Sequence, residues 1–339
     1  MKGALFYGPN KPLKIEEVDI PKIKDDELLI KVAACGVCHS DLEYIEVGVP
    51  TFKKPPLILG HEPSGTVEEV GRSVNNFKKG DRVILPAVFG CGECKLCRTG
   101  RENICSNVTM LGNSIDGAYA EYIKVPAKAA VHLPDEIPLK EGCVIADAIS
   151  TPFHAVRNRA MVRPGDIVVI FGCGGVGINV IQISVASGAT VIAVDILDKK
   201  LEWAREFGAN ITINSKDKDI AREIRRITSG GADIAIEVIG KPETIRQAAD
   251  SLRIGGRLCI VGYSPEEIKL SSARIMMREI EIVGSCGSRP ADYPKVIEMV
   301  KTGKIKVKPL VTHKFSLNDV NEAFEVMKKG ESLRSIIIP

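Results

Sequence analysis

No apolar run in this chain of 339 residues is long enough to cross a bilayer, so a membrane-spanning role is not expected. The opening residues, MKGALFYGPNKPLKIEE, turn polar within ten positions and do not read as a secretory leader. No block of like charge stands out. The 46 Lys and Arg are dispersed among 43 Asp and Glu for a formal charge of +3, which gives no nucleic-acid-binding arm. Pairs such as Lys78–Lys79 and Lys328–Lys329 read as solvated surface. Only two glutamines, Gln182 and Gln247, stand among many Ile, Lys and Glu, a bias compatible with adaptation to heat. Low-complexity linkers and internal repeats beyond β/α units are also missing.

What is present is an ordinary globular composition, 45% apolar and 26% charged, at a length that suggests about two domains. A cytoplasmic protein is expected. Ten cysteines in a chain without a leader point to metal ligands or free thiols rather than disulfides. For the same reason the Asn-X-Thr sequons at Asn107 and Asn210 carry no weight.

Residues 1–34 alternate apolar and polar positions in short runs broken by Pro9, Pro12 and Pro21, and LLIKVAACG reads as a strand ending at Gly36. Cys38-His39-Ser40-Asp41-Leu42 should open a short helix or turn, a connection of the kind that carries functional side chains. Residues 66–71 and 80–85 are strand-like, and this turn-rich texture suggests a compact barrel or sandwich. Cys91, Cys94, Cys97 and Cys105 then fall within fifteen residues, in a loop with little apolar content. Such a loop cannot order itself by burial, whereas a tetrahedral zinc held by four thiolates would order it. Four protein ligands leave no open position, so that zinc is structural and catalysis must lie elsewhere.

From about Cys143 the texture changes. Residues 141–159 are helix-like with an interruption at Pro152, and residues 163–166 form a turn. A buried parallel-type strand, IVVIF, leads into Gly172-Cys173-Gly174-Gly175-Val176-Gly177 and a helical pattern through Ser187. The next strand ends in Asp195, 18 positions after Gly177. This is the context a dinucleotide fingerprint requires. Gly172 makes the turn, Gly174 lets the backbone approach the pyrophosphate, and Gly177 permits close helix–strand packing. The helix start, with Gly175 and Val176, favours the phosphate charge. Asp195 would bond the ribose hydroxyls and repel a 2′-phosphate, which favours NAD over NADP. Lys199 and Lys200 are the cations nearby, and Lys200 is counted with the cofactor site. Cys173 is read as a small side chain and Trp203 as packing. Further strands at 233–240, 257–263 and 279–285 complete a doubly wound sheet. A helix at 293–302, the strand-like KVKPLVTHKFSL, a helix at 318–329 and a final strand, SIIIP, close the chain. At least the last of these should return to the first domain.

The remaining motif is Gly60-His61-Glu62-Pro63-Ser64-Gly65, running on to Gly71 and Val74. His61 offers an imidazole to a metal, and Glu62 can ligate it or sit just behind. With C-H-S-D at 38–41, the four-cysteine lobe and the nucleotide loop, it makes the whole chain resemble the zinc-dependent alcohol dehydrogenases of the medium-chain dehydrogenase/reductase family. The resemblance implies a Rossmann domain, 149–285, inserted in a mainly β, GroES-like catalytic domain. That catalytic domain would span 1–148, with the zinc lobe at 86–106, and resume over 286–339. It implies two zincs, one structural and one sharing an active site with NAD, a small alcohol or ketone as substrate, and a homodimer or homotetramer. Cys38 and His61 match two catalytic ligands, Asp41 the carboxylate that orients the imidazole, Ser40 the hydroxyl that takes the substrate proton, and His39 a residue near the pyrophosphate. The zinc would acidify a bound alcohol, whose carbon gives a hydride to nicotinamide.

Two positions depart from the family pattern. Its third ligand is usually cysteine, and here the register places Asp147, an accepted zinc ligand. Cys143, about one helical turn earlier, is the fallback and otherwise a buried thiol. Glu43 stands near a relay histidine of many members, as a base or simply as an exposed acid. His132, His154 and His313 are read as structural, and Cys35, Cys259 and Cys286 as small buried residues. The same scaffold also serves polyol, threonine, cyclic-alcohol and hydroxyacyl substrates. Two other classes compete: a non-catalytic NAD-binding protein, and a zinc-ribbon nucleic-acid binder. The second metal set argues against the first, and the near-neutral charge against the second.

Overall fold

The computed structural model describes residues 1–216 and 218–339. The chain divides into two compact units, Met1–Ser150 with Gly287–Pro339, and Thr151–Cys286.

In the first unit the organising strand is Glu27–Gly36, buried along most of its length. It pairs antiparallel with Glu62–Val70 on one side and with Tyr122–Pro126 and Arg334–Ile338 on the other. The pairing brings Gly36 opposite both Glu62 and Ile336. Three segments far apart in sequence therefore end at one place: Cys38 just beyond the first strand, His61 just before the second, and Arg334 at the start of the last. Arg82–Ile84 and Val131–His132 extend the sheet on one side. Val311–Ser316 closes the other side, alternating half-buried and exposed residues as an edge strand does. The helix Val320–Lys328 lays Val320, Ala323, Phe324 and Met327 on the core, the i, i+3, i+4, i+7 spacing of one helical face.

The helix-like stretch 141–159 is not one helix. It resolves into a 3-10 turn at Glu141–Ile145, a turn, a short α-helix at Ser150–Phe153 and a π-helical stretch at His154–Arg159. Pro152 can sit only in a first turn, where its missing N–H has no partner to lose, so the helix restarts just ahead of it. Asp147 falls in the turn so created.

The second unit holds a six-stranded, all-parallel sheet. Its order is Ile211–Asn214, Thr190–Asp195, Ile167–Phe171, Ala232–Glu237, Leu252–Ile260, Glu281–Gly284. The central strands are buried on both faces, which is why they read as unbroken apolar runs. Glu281–Gly284 pairs on one side only and is the sheet edge. Among the described residues no helix is long and apolar enough to cross a membrane.

Candidate metal and nucleotide sites

The lobe cysteines converge. Their sulfurs are separated by 3.5 Å (Cys91–Cys105), 3.6 Å (Cys94–Cys97), 3.7 Å (Cys94–Cys105) and 3.9 Å (Cys91–Cys97). A tetrahedron with Zn–S bonds of about 2.3 Å has edges of about 3.8 Å, so the four sulfurs are spaced as zinc requires. Backbone N–H groups of Glu93, Cys94, Cys97 and Asn107 point at three of the sulfurs, as suits anionic thiolates. The Cys97 N–H in particular pulls the Cys94 thiol down to about 6.

A second donor set, Cys38, His61, Glu62 and Asp147, also lies with its ligand atoms mutually within 4.8 Å. His61 Nε2 and Asp147 Oδ2 are 3.6 Å apart, close to the edge of about 3.4 Å expected for tetrahedral Zn–N and Zn–O bonds. Burial alone would push the His61 pKa down. Asp41, Asp147 and Cys38 outweigh it and hold the imidazole well above its ordinary value. Burial likewise opposes the Cys38 thiolate, and Arg334 and His61 overcome it, so that thiol is lowered. So much acidic charge around one imidazole and one guanidinium is a cation's environment, and these residues fit a zinc ion.

Behind the ligand atoms, Asp41 Oδ1 faces His61 Nδ1 at 3.5 Å. The other Asp41 oxygen accepts the hydroxyl of Tyr119 at 2.8 Å. Tyr119 reaches it because its ring lies against Gly60, whose φ is +93° and where a Cβ would fall 2.8 Å from the ring. Glu62 is buried and gripped by Arg334, with Nε 3.2 Å from Oε2 and Nη2 against Oε1. Neither Tyr119 nor Arg334 stands out in the sequence by spacing. The one available signal is an arginine inside the apolar run LRSIIIP, since an arginine in a core strand requires a buried partner.

Ser40 Oγ lies 3.8 Å from Cys38 Sγ, on the short helix His39–Leu42. His39 is exposed and Glu43 half-buried, its carboxyl raised by that burial. Cys143 is fully buried, its thiol pushed well up by burial, and it is not among the clustered donors. His132 bonds the Asn76 carbonyl and stacks on Phe77; His154 pairs with Asn158; His313 bonds Thr312. Cys35 and Cys259 are buried, but Cys286 is exposed, contrary to the sequence reading. It follows the strand Glu281–Gly284, which among the described residues pairs with another strand on one side only.

In the second unit the glycine loop connects Ile167–Phe171 to the helix Gly175–Ala186. Gly172 has φ +100°, and a Cβ on Gly177 would collide with the Gly172 carbonyl. At Gly174, by contrast, a Cβ would meet no protein atom within 4 Å. Neither packing nor φ demands glycine there, and the open cradle fits a close-approaching pyrophosphate. Asp195 ends its strand with Oδ2 accepting the Cys173 N–H at 2.8 Å and Oδ1 accepting the N–H of Ile196 and Leu197. Two carboxylate oxygens offer about four acceptor directions, so one remains for a ribose hydroxyl. The charge of Lys200 is felt at Cys173, while Lys199 lies over the Trp203 ring.

A parallel nucleotide-binding sheet and a metal-donor β unit in one chain define a metal-dependent dehydrogenase. Residues 24–135 match the alcohol dehydrogenase GroES-like domain, and residues 175–302 the zinc-binding dehydrogenase domain. The chain belongs to the zinc-dependent medium-chain alcohol dehydrogenase family. It is 35% identical to an NAD-dependent alcohol dehydrogenase of Sulfurisphaera tokodaii, with 100% of each chain covered. It is 38% identical to a sorbitol dehydrogenase of Bacillus subtilis over 100% of this chain and 97% of that one. Among solved structures, 2R,3R-butanediol dehydrogenase from Bacillus subtilis superposes with a TM-score of 0.91 at 32% identity, covering 100% and 99% of the two chains. Two zinc ions and NAD are the cofactors that this family and these donor sets fit.

Proposed function

We propose that the chain is a zinc-dependent, NAD-linked alcohol dehydrogenase, moving a hydride between a small alcohol or ketone and nicotinamide. The observation that carries this is the second donor set. Four sulfurs close the lobe site, whereas in the second set Glu62, the fourth donor, is tied by Arg334, so Cys38, His61 and Asp147 would ligate and leave a position for substrate. Zinc held there supplies a Lewis acid that lowers the pKa of a bound hydroxyl compound.

The chain's own residues do the rest. Asp41 holds the His61 ring through Nδ1 and so fixes which nitrogen faces the metal. Arg334 restrains Glu62, which stands behind the three ligands. Ser40, beside Cys38, takes the proton of the substrate hydroxyl. Gly172, Gly174, Gly175, Val176 and Gly177 seat the pyrophosphate at a helix start. Asp195 bonds the adenosine ribose, and His39 and Lys200 bring positive or polar groups to the cofactor phosphates.

The relatives named for sorbitol and butanediol favour diols and polyols as a second substrate class beside simple alcohols. We assign the protein to the cytoplasm as a homodimer or homotetramer. The apolar edge strand Glu281–Gly284 is the surface that self-association would cover, and a monomer by light scattering would refute this. A panel of linear, cyclic, polyol and amino-acid alcohols, followed by NADH absorbance, tests the function. Reduction of NAD by at least one class is expected, together with two zincs per chain. A protein with two zincs and no turnover on any class would overturn the reading.

A further inference from the structure

Asp147 differs from the other proposed ligands in its support. Cys38 caps a helix at the end of a core strand, and His61 directly precedes another. Asp147 lies in a turn, with no strand or helix of its own. Yet the carbonyl just before it is held from two sides. Ala146 O accepts the Tyr293 hydroxyl at 2.8 Å and the Ser150 hydroxyl at 3.1 Å. Ser288 Oγ in turn lies 2.8 Å from the Tyr293 hydroxyl and 3.0 Å from Ser150 Oγ. All three hydroxyl side chains are buried, and all four residues belong to the first unit.

The hydrogens account for themselves. Tyr293 and Ser150 donate to Ala146 O, and Ser288 donates to the Tyr293 oxygen, so no buried hydroxyl lacks an acceptor. The cluster satisfies the buried Ala146 carbonyl, so part of its role is stability. Geometry gives it a second role. The peptide joining Ala146 to Asp147 is planar, so fixing its carbonyl fixes the plane from which the Asp147 side chain departs. Metal ligands on loops need this kind of backing to hold their geometry.

We propose that the buried hydroxyl cluster of Tyr293, Ser288 and Ser150 positions Asp147 for metal binding. This rests on the reading of Asp147 as a catalytic-zinc ligand. These are positioning residues and touch neither substrate nor metal. The cluster also joins the two ends of the first unit's interruption, since the chain leaves after Ser150 and returns at Gly287.

The test compares Tyr293→Phe, Ser288→Ala and Ser288→Thr in the full-length zinc-loaded protein. Zinc release to a chelator is followed, along with the visible bands of the cobalt-substituted protein and the thermal midpoint. Tyr293→Phe and Ser288→Ala should release one of the two zincs about 10–100-fold faster and shift the cobalt bands. The slower zinc should stay near that of the unsubstituted protein, and the thermal midpoint should fall only by the roughly 2–10 °C that one lost buried hydrogen bond costs. Ser288→Thr, which keeps the hydroxyl, should restore both signals. Unchanged release and unchanged cobalt bands in both variants would overturn the proposal, as would equal loss of both metals with a fallen midpoint. Asp147→Ala is measured beside them. If it keeps both zincs, the ligand assignment fails and this inference with it. If it loses one while the hydroxyl variants behave normally, only the positioning role fails.

Discussion

Arg334 and Glu62 are 272 residues apart in the chain, and the guanidinium of one grips the carboxylate of the other inside the core. The contact joins the last strand to the strand that follows His61. Removing one partner leaves the other charged and buried. Arg334→Ala should therefore lower unfolding free energy by about 3–5 kcal/mol. Arg334→Lys should recover only part of it, since an ammonium cannot form the fork. Chemical denaturation measures both, and an Arg334→Ala protein as stable as its parent would refute the pairing.

Tyr119 offers a gentler probe. Tyr119→Phe keeps the ring on Gly60 but leaves Asp41 Oδ2 only the longer bond from the Cys38 N–H at 3.4 Å, at a cost of about 1–3 kcal/mol. With Asp41→Asn the two losses should not fully add, because the Tyr119–Asp41 bond is perturbed in both. Strict additivity in the double-mutant cycle would show that the two side chains are energetically independent.

Asp147→Ala should lose one zinc and nearly all turnover while retaining NAD binding, and Cys143→Ala should keep both metals and most activity. Metal analysis alone decides it. The reverse pattern would mean that the register is wrong and that the site has two cysteines and one histidine. Asp147→Cys should still bind zinc, with turnover altered rather than abolished.

In the lobe, Cys94→Ser or Cys97→Ser should cost one zinc and lower the thermal midpoint, with hydride transfer affected only secondarily. Since thiolates must be deprotonated to ligate, acid should release this zinc as well. A variant that loses the ion at unchanged stability would show that the loop orders itself.

Asp195 couples cofactor choice to loop structure. NAD should be used far better than NADP, and Asp195→Ser should narrow the gap by on the order of tenfold, roughly 1.4 kcal/mol. Because the carboxylate also holds the Cys173 N–H, the same change should lower stability. Comparable efficiency with both cofactors in the unaltered protein would sink this reading.

Local pattern carries a good deal of this molecule. The parallel strands around the glycine loop are legible because burial on both faces makes them continuous apolar runs bounded by turns. The four lobe cysteines can be named from spacing, whereas Cys38, His61, Glu62 and Asp147 are named from the resemblance to the family's motifs. Ile211–Asn214 cannot be read from local pattern, being only four residues with a polar end, and it is a strand only because Thr190–Asp195 lies beside it. The breaks within 141–159 follow from where one proline is tolerated. Asp41–Tyr119 and Glu62–Arg334 span 78 and 272 residues and leave no local periodicity. They are products of strand pairing, which a single sequence does not display.

The short bond between Ser150 and Ser288 has an architectural consequence. Two serine oxygens 3.0 Å apart place their backbones within roughly 8 Å of each other, a gap that two or three residues can bridge. The chain thus leaves the first unit and re-enters it at one place. A tripeptide in place of residues 151–286 would span that gap. The product would keep both donor sets, the four lobe cysteines and Cys38, His61, Glu62 and Asp147, all of which belong to the first unit. Without nucleotide chemistry, it would separate what these donor residues do alone from what they do with a hydride acceptor.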